Sequence, residues 1–205
     1  MYLPSHFEEN RIGVLHALME DNPLGVLVHP GASGLDAEHL PFELDRSSGE
    51  WGCLRAHVAR ANPVWKEADG REVLVIFRGG DAYVSPSWYP SKHETHRQVP
   101  TWNYRVVHAH GRLRVVDEDR FVRGLVARLT RRHESGLQEP WRMGDAPADY
   151  IDGMLRSIVG IEVAIDRLVG KFKLSQNREP RDRLAAADVL TQHGESVLGQ
   201  AMRDA

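Results

Sequence analysis

The apolar stretches of this chain are short, and their length limits what it can fold into. The longest runs, such as residues 73–77 (Val-Leu-Val-Ile-Phe), have the length of one β-strand and are far too short to span a membrane as a helix. Turn-forming sequences such as residues 30–34 (Pro-Gly-Ala-Ser-Gly) separate them. Strand patterns dominate the middle of the chain and helical patterns its ends, which predicts an α+β fold, an antiparallel barrel with peripheral helices.

β-branched and alternating residues give the positions of the predicted strands. They cover residues 24–29, 38–44, 51–54, 72–78, 82–85, 102–116 and 158–168. Gly79-Gly80-Asp81 predicts a hairpin turn between the fourth and fifth of these strands. Residues 86–100, rich in Ser, Pro and His, are expected to form a long loop.

Helical periodicity and capping residues give the positions of the predicted helices. Ser5 and Glu8 fit the pattern of a capping box ahead of the first predicted helix, which Asn22-Pro23 is expected to end. Further helices are predicted over residues 55–61, 117–132 and 150–157, and a helical tail over about 179–205 with a break at Gly194. No composition change marks a boundary, so residues 1–205 are expected to form a single domain.

Charge and cysteine content exclude several kinds of site. The formal net charge is -3, so no overall basic field attracts nucleic acid or an anionic membrane. Cys53 is the sole cysteine, which excludes an intramolecular disulfide and a cysteine-cluster zinc site. The N-terminal residues are acidic and lack an apolar run, so no signal peptide is predicted and a cytoplasmic location is expected.

Two segments rich in Trp, Pro and hydroxyl groups are candidates for a binding site. They are residues 85–90 (Ser-Pro-Ser-Trp-Tyr-Pro) and 99–104 (Val-Pro-Thr-Trp-Asn-Tyr), at the ends of neighbouring strands. Aromatic faces beside a few polar groups suit a flat polar heterocycle. Aromatic filling of a barrel rim explains the pattern equally well.

Three basic segments are candidates for anion binding. Arg55 lies at the start of a predicted helix. That position suits a phosphate clamp, and it equally suits an ordinary surface arginine. A second segment consists of residues 170–178 (Gly-Lys-Phe-Lys-Leu-Ser-Gln-Asn-Arg). It suits either the closure of a site over a phosphate or polar ring or the formation of a charged turn. Residues 120–132 form an arginine-rich helix, but no second helix follows at helix-turn-helix spacing, which favours a solvated face.

Histidines suggest a metal site only weakly. His108 and His110 share a strand face, and His93 and His96 lie in the preceding predicted loop. Glu94 is the one carboxylate near them at ligand spacing, so hydrogen-bonded or solvent-facing histidines are favoured and no metal is expected. Cys53 is interpreted as a small packing residue.

Several segments, taken in order, resemble one known family. They are residues 1–4 (Met-Tyr-Leu-Pro), 39–42 (His-Leu-Pro-Phe), 56–63 (Ala-His-Val-Ala-Arg-Ala-Asn-Pro), 84–89 (Val-Ser-Pro-Ser-Trp-Tyr), 99–104 and 170–178. The chain resembles the PaiB-type family of FMN-binding negative transcriptional regulators over nearly its whole length. That family is similar to the FMN-binding split-barrel superfamily, which includes the pyridoxamine phosphate oxidases.

The resemblance implies a fold, an assembly and a cofactor site. It implies a six-stranded antiparallel split β-barrel with peripheral helices, forming a homodimer with FMN in a cleft between the subunits. Arg55 would meet the phosphate, and residues 39–42 would lie along the flavin. The implied cofactor-binding residues are His39, Leu40, Pro41, Phe42, Arg55, His57, Trp88, Trp102, Asn103, Lys173, Gln176 and Arg178.

The function implied by the resemblance is that of an FMN-binding negative regulator of transcription acting as a homodimer. Two alternatives stay open: a flavin-dependent oxidoreductase acting on a small planar substrate, and a haem-binding split-barrel protein. No catalytic motif decides whether the chain is an enzyme. Direct DNA binding is compatible with the family but is weakly supported by the charge.

Overall fold

The computed structural model describes residues 1–205 and contains the α+β mixture that the sequence predicts. The strands are β1 (Glu8–Glu9), β2 (Leu24–Gly31), β3 (Gly34–Pro41), β4 (Glu43–Asp45), β5 (Cys53–Ala59), β6 (Glu72–Val84), β7 (Thr101–Val116) and β8 (Ile158–Lys173). The helices are α1 (Ile12–Asp21), α2 (Val64–Glu67), α3 (Pro90–Thr95), α4 (Asp119–Glu134), α5 (Ala148–Arg156), α6 (Pro180–Gln192) and α7 (Ser196–Arg203). No helix is both long enough and apolar enough to cross a membrane.

The strands form an antiparallel sheet in the order β3-β2-β6-β7-β8-β5-β4, with β1 added on β8. The sheet has eight strands, so the predicted number of six was too low. β1 and β4 contain only two and three residues. Strands of that length show no alternating pattern by which a sequence would reveal them.

The predicted helix over residues 55–61 is wrong, because most of this segment belongs to strand β5. Leu54, Ala56 and Val58 are buried, while Arg55 and His57 lie on the other face of the strand. β5 pairs antiparallel with β8, and Arg55 lies opposite Glu162. This long-range pairing overrides the local helical preference, so Arg55 does not lie at a helix N-terminus.

Two further boundaries differ from the prediction, and one agrees. β6 runs from Glu72 to Val84 through the expected hairpin at residues 79–81, where Gly80 adopts a φ of +79°. The expected loop over residues 86–100 contains the short helix α3. The predicted break at Gly194 is confirmed: its φ of +93° separates α6 from α7.

The chain divides into two compact units. The strand-rich unit comprises residues 23–76 and 109–168, and the helix-rich unit comprises residues 1–22, 77–108 and 169–205. Strands β6, β7 and β8 contribute residues to both units.

The core of the strand-rich unit consists of inward residues from its strands and from α4. Leu27, Leu54, Leu113 and Leu125 are fully buried. Gly160 of β8 lies so close to α4 that a Cβ there would be 2.7 Å from the Phe121 ring. Truncating one of these buried leucines to Ala would cost roughly 2–5 kcal/mol of unfolding free energy.

The core of the helix-rich unit is built from helices α1, α6 and α7. Leu15, Met19, Leu190 and Met202 have at most 2% exposure. Helix α7 approaches α6 closely, because a Cβ on Gly199 would lie 2.8 Å from the Ala187 carbonyl oxygen. The α6–α7 pair therefore fills the core with side chains that the sequence places at helical spacing.

Candidate functional site

The predicted cofactor residues divide between the two units. The strand-rich unit holds His39, Leu40, Pro41, Phe42, Arg55 and His57, and the helix-rich unit holds Trp88, Trp102, Asn103, Lys173, Gln176 and Arg178. Each group is described within its own unit.

Arg55 is held by carboxylates on both sides. Its Nε donates to Glu162 Oε1 at 2.9 Å, and its guanidinium contacts Asp45 Oδ2 at 2.9 Å. Arg114 donates to the second oxygen of Glu162 at 2.5 Å. The cluster therefore contains two cations and two anions and is electrically balanced. Glu162 was missed in the sequence analysis, although its place opposite Arg55 follows from the pairing of β5 with β8.

His57 follows Arg55 on the same face of β5 and lacks a partner for one nitrogen. Its Nδ1 is buried and makes no hydrogen bond. Burial lowers the pKa of His57, so the neutral imidazole is favoured. The ring lines an apolar cavity of about 330 Å³ with residues of α4 and α5.

The segment from His39 to Phe42 offers little free surface. Leu40 and Phe42 are buried, and the Phe42 amide donates to the Pro23 carbonyl at 2.8 Å. His39 is exposed and lies opposite Val26 in the β2–β3 pair. Leu40 and Phe42 hold the strand in place, while His39 and the half-buried Pro41 present surface.

Lys173 is fixed beside an exposed indole in the helix-rich unit. Its Nζ donates to the Trp102 carbonyl at 2.8 Å and to the Thr101 hydroxyl. Trp102 is 54% exposed and contacts the Tyr83 ring edge-on at a centroid distance of 6.1 Å. The pKa of Lys173 is lowered, first by burial and then by the nearby charges of Lys171 and Arg178. No carboxylate forms an ion pair with this ammonium.

Asn103 lies directly behind this surface and is fully buried. Its Nδ2 donates to Ser175 Oγ at 2.9 Å and approaches Met202 Sδ at 3.3 Å. Ser175 adopts a φ of +66°, in the left-handed region, immediately after β8. The Asn103–Ser175 bond therefore fixes the turn that follows Lys173.

Gln176 and Arg178 continue this turn with polar contacts of their own. The Gln176 amide group donates to the Phe172 carbonyl at 2.6 Å and accepts from the Leu174 amide at 2.7 Å. Arg178 donates to Gln98 Oε1 at 2.6 Å, and its guanidinium lies 5.6 Å from the centroid of the Tyr89 ring. Trp88 contacts the His193 ring edge-on at 5.7 Å. Among the predicted cofactor residues of the helix-rich unit, Trp102 and Lys173 are in direct contact with each other.

A second lysine on β8 belongs to the basic segment 170–178 but was not among the implied cofactor-binding residues. Lys171 is buried, donates to the Tyr2 carbonyl at 3.0 Å and lies 5.6 Å from the centroid of the Tyr104 ring. Its alternation with Lys173 places both on one face of the strand.

The histidines do not gather into a metal site. No group of three or more His, Cys, Asp or Glu side chains has the geometry to hold a metal ion. His93 is exposed and lies 3.4 Å from the Ser87 carbonyl, and His96 ends α3 with a φ of +56°. Burial and the charge of Arg167 lower the pKa of His110.

The contacts of Lys173 and Trp102 suit a planar heterocycle with acceptor atoms along one edge, such as a flavin. A cation without a carboxylate partner attracts negative charge on a ring edge, and an exposed indole offers a face for stacking. Arg55 differs from Lys173 in having carboxylate partners, so a phosphate bound to Arg55 would compete with Asp45 and Glu162. Its role toward a phosphate stays a prediction.

Sequence comparison identifies the family. The family model described as "Putative FMN-binding domain" matches residues 1–167. The uncharacterized protein AN0679 of Emericella nidulans is 35% identical over 219 residues, covering 89% of this chain and 87% of that protein. The protease synthase and sporulation protein PAI 2 of Bacillus subtilis is 28% identical over 191 residues, covering 93% of this chain and 89% of that protein.

Comparison with solved structures supports the fold. The FAD and heme binding protein from Mycobacterium smegmatis superposes with a TM-score of 0.62 at 18% identity, covering 87% of this chain and 79% of that chain. The conserved hypothetical protein Rv2991 from Mycobacterium tuberculosis gives a TM-score of 0.57 at 13% identity, covering 87% and 94%. The PaiB-type resemblance and the split-barrel fold class are confirmed.

Proposed function

Because the chain belongs to this FMN-binding domain family, we propose that it binds FMN as a homodimer. We place the Trp102 indole and the Lys173 ammonium against the flavin ring. The observation that carries this assignment is the Lys173–Trp102 pair, a fixed cation with no anionic partner beside an exposed aromatic face.

The environment of Lys173 favours an anionic or electron-rich ligand. Its ammonium is held by two oxygens, is partly desolvated and has Lys171 and Arg178 as the charged groups that lower its pKa. Adding negative charge would relieve the repulsion among these cations. A positive group near a flavin ring is one of the features by which a protein tunes the cofactor.

Bound FMN would supply electron transfer, and the residues of this chain would set its environment. Trp102 would cover part of one ring face and exclude water there. Lys173 would place positive charge at a ring edge. Asn103 would act behind them, because its bond to Ser175 holds the turn that follows Lys173.

The replacement Lys173→Met tests this assignment. It removes the charge while keeping a long apolar side chain, so we expect the Kd for FMN to rise about tenfold, as for the loss of one charge-assisted contact. The measurement is quenching of flavin fluorescence during titration of flavin-free protein, with circular dichroism to confirm that the variant is folded.

Lys66→Met is the matched control. Lys66 is an exposed lysine whose Nζ lies 4.8 Å from the centroid of the Trp65 ring, so it forms a second lysine–tryptophan pair elsewhere in the chain. This control should bind FMN as the unchanged protein does. An unchanged Kd in folded Lys173→Met would remove Lys173 from the proposed site.

We further propose that the protein regulates gene expression without DNA binding by its arginine-rich helix. The resemblance implies a negative regulator, and the Bacillus subtilis relative is named for protease synthesis and sporulation. In α4, however, Arg123 pairs with Asp152, and Arg128 pairs with Glu43 at 2.7 Å. These ion pairs reduce the positive charge that α4 could present to a phosphate backbone.

A further inference from the structure

Two cavities adjoin in the strand-rich unit. The first, of about 330 Å³, is the His57 cavity and lies among β5, α4 and α5. The second, of about 410 Å³, is the arginine cavity and lies between α4 and the segment that follows it. Trp141 and Met143 line both cavities, so the two form neighbouring compartments with a shared wall.

The His57 cavity has a largely apolar lining. Its aliphatic wall is formed by Val126, Ile151, Leu155 and Ile158. The imidazole of His57 completes this lining. A lining of this kind favours an apolar ring system.

The mouth of the His57 cavity carries an unusual amount of exposed apolar surface. Trp141, Tyr150 and Met154 are 43%, 58% and 50% exposed. Aromatic rings supply faces for stacking, and methionine side chains adapt to the shape of a bound molecule. These residues suit an aromatic ring system that enters from solvent.

The arginine cavity supplies positive charge next to this aromatic surface. Arg131 and Arg142 line it, and neither forms an ion pair with a carboxylate, in contrast to Arg123 and Arg128 on the same helix α4. Glu134 also lines this cavity, but its Oε2 accepts a hydrogen bond from the Trp141 amide at 2.8 Å. Two arginines thus remain able to bind an anionic group.

We propose that the two cavities together bind one small aromatic anion other than FMN. Its ring system would occupy the His57 cavity against the imidazole and the aliphatic wall, and its carboxylate or similar group would meet Arg131 and Arg142. The shared wall of Trp141 and Met143 would lie beside the junction of ring and anionic group. Every residue in this proposal belongs to the strand-rich unit. His57, which the family resemblance implies for FMN, is assigned to this second ligand instead.

Titration calorimetry with 2-naphthoate as probe tests the proposal on the full-length, flavin-free protein. We expect saturable binding of one probe per chain and much weaker binding of the neutral isostere 2-naphthamide. The double variant Arg131→Met/Arg142→Met should raise the Kd for 2-naphthoate about tenfold or more, since it removes both charge-assisted contacts. His57→Trp, whose larger ring takes up part of the cavity, should also weaken binding.

Two controls make the result specific. Arg120→Met removes an exposed arginine from the first turn of the same helix and should leave the Kd unchanged. Saturation with FMN should also leave it unchanged, and a separate FMN titration reports on the flavin site independently. Absence of saturable binding, wild-type affinity in the folded double variant, or competitive displacement of the probe by FMN would each overturn the proposal.

Discussion

At the scale of single residues, Arg55 shows how a motif position can have two roles. The family resemblance assigns it to a phosphate, while in the folded chain it bridges Asp45 and Glu162. Its side chain is 25% exposed, so it is only partly shielded from solvent. A phosphate would therefore have to share Arg55 with these carboxylates or displace one of them.

Replacing each partner separately distinguishes the two roles of Arg55. If Arg55 binds the FMN phosphate, Arg55→Ala should raise the Kd for FMN about tenfold or more, because a charge-assisted bond is lost. Glu162→Gln keeps the shape of the side chain but removes its charge, so it should leave the Kd equal or lower it. Fluorescence titration measures both values.

A thermal melt of each variant completes this test. A purely structural role for Arg55 predicts a lower Tm for Arg55→Ala with wild-type FMN affinity, and that outcome would contradict the phosphate assignment. A large rise in Kd for Glu162→Gln would also contradict it, because the carboxylate competes with a phosphate in our account.

Residues of the proposed flavin site were selected only where a sequence motif contained them. Trp102 and Lys173 stand in two distant segments, residues 99–104 and 170–178, and were selected from aromatic and basic composition. Their contact depends on the pairing of β7 with β8, which no local pattern reveals. Glu162 was missed and Lys171 was given no role for the same reason, since each acquires its partner through a strand neighbour or a terminus distant in sequence.

At the scale of elements, the charge on α4 decides whether this helix binds DNA. Its apolar stripe of Val122, Leu125 and Leu129 is buried, which leaves the arginines on the outer side. Two of those arginines form ion pairs with Asp152 and Glu43. The outer side of α4 is therefore less basic than its sequence suggests.

A gel-shift titration tests whether α4 contacts DNA. We expect no specific complex between the flavin-loaded protein and its own upstream DNA, even at low salt, where phosphate contacts are strongest. The control is a random duplex of equal length. A specific shift that is lost in Arg120→Met/Arg131→Met would contradict the proposal and assign DNA binding to α4.

A helix or strand was predicted correctly where nearby residues determine its conformation, and wrongly where a strand partner distant in sequence determines it. The break between α6 and α7 was predictable because Gly194 acts locally through its positive φ. The helix assigned to residues 55–61 was wrong because β5 takes its conformation from β8, about 100 residues later in the chain. The continuous course of β6 through Gly79 and Gly80 likewise depends on neighbours outside the segment.

At the scale of the whole molecule, the split-barrel class was predictable, while the strand number was not. Short apolar runs separated by turns lead to an antiparallel α+β fold, and the ordered family segments identify its class. The additional strands are too short to have a pattern of their own. The predicted site residues fall in two compact units, so the sequence motifs alone do not state which of them act together.

The central claim is that this chain binds FMN as a homodimer. Analytical ultracentrifugation of FMN-loaded protein tests it most directly, because flavin absorbance and protein mass are recorded in one run. We predict that flavin sediments with a particle of about twice the 23.1 kDa chain mass and at one FMN per chain. Flavin that stays unsedimented, or a flavin-bearing particle of single-chain mass, would contradict the account.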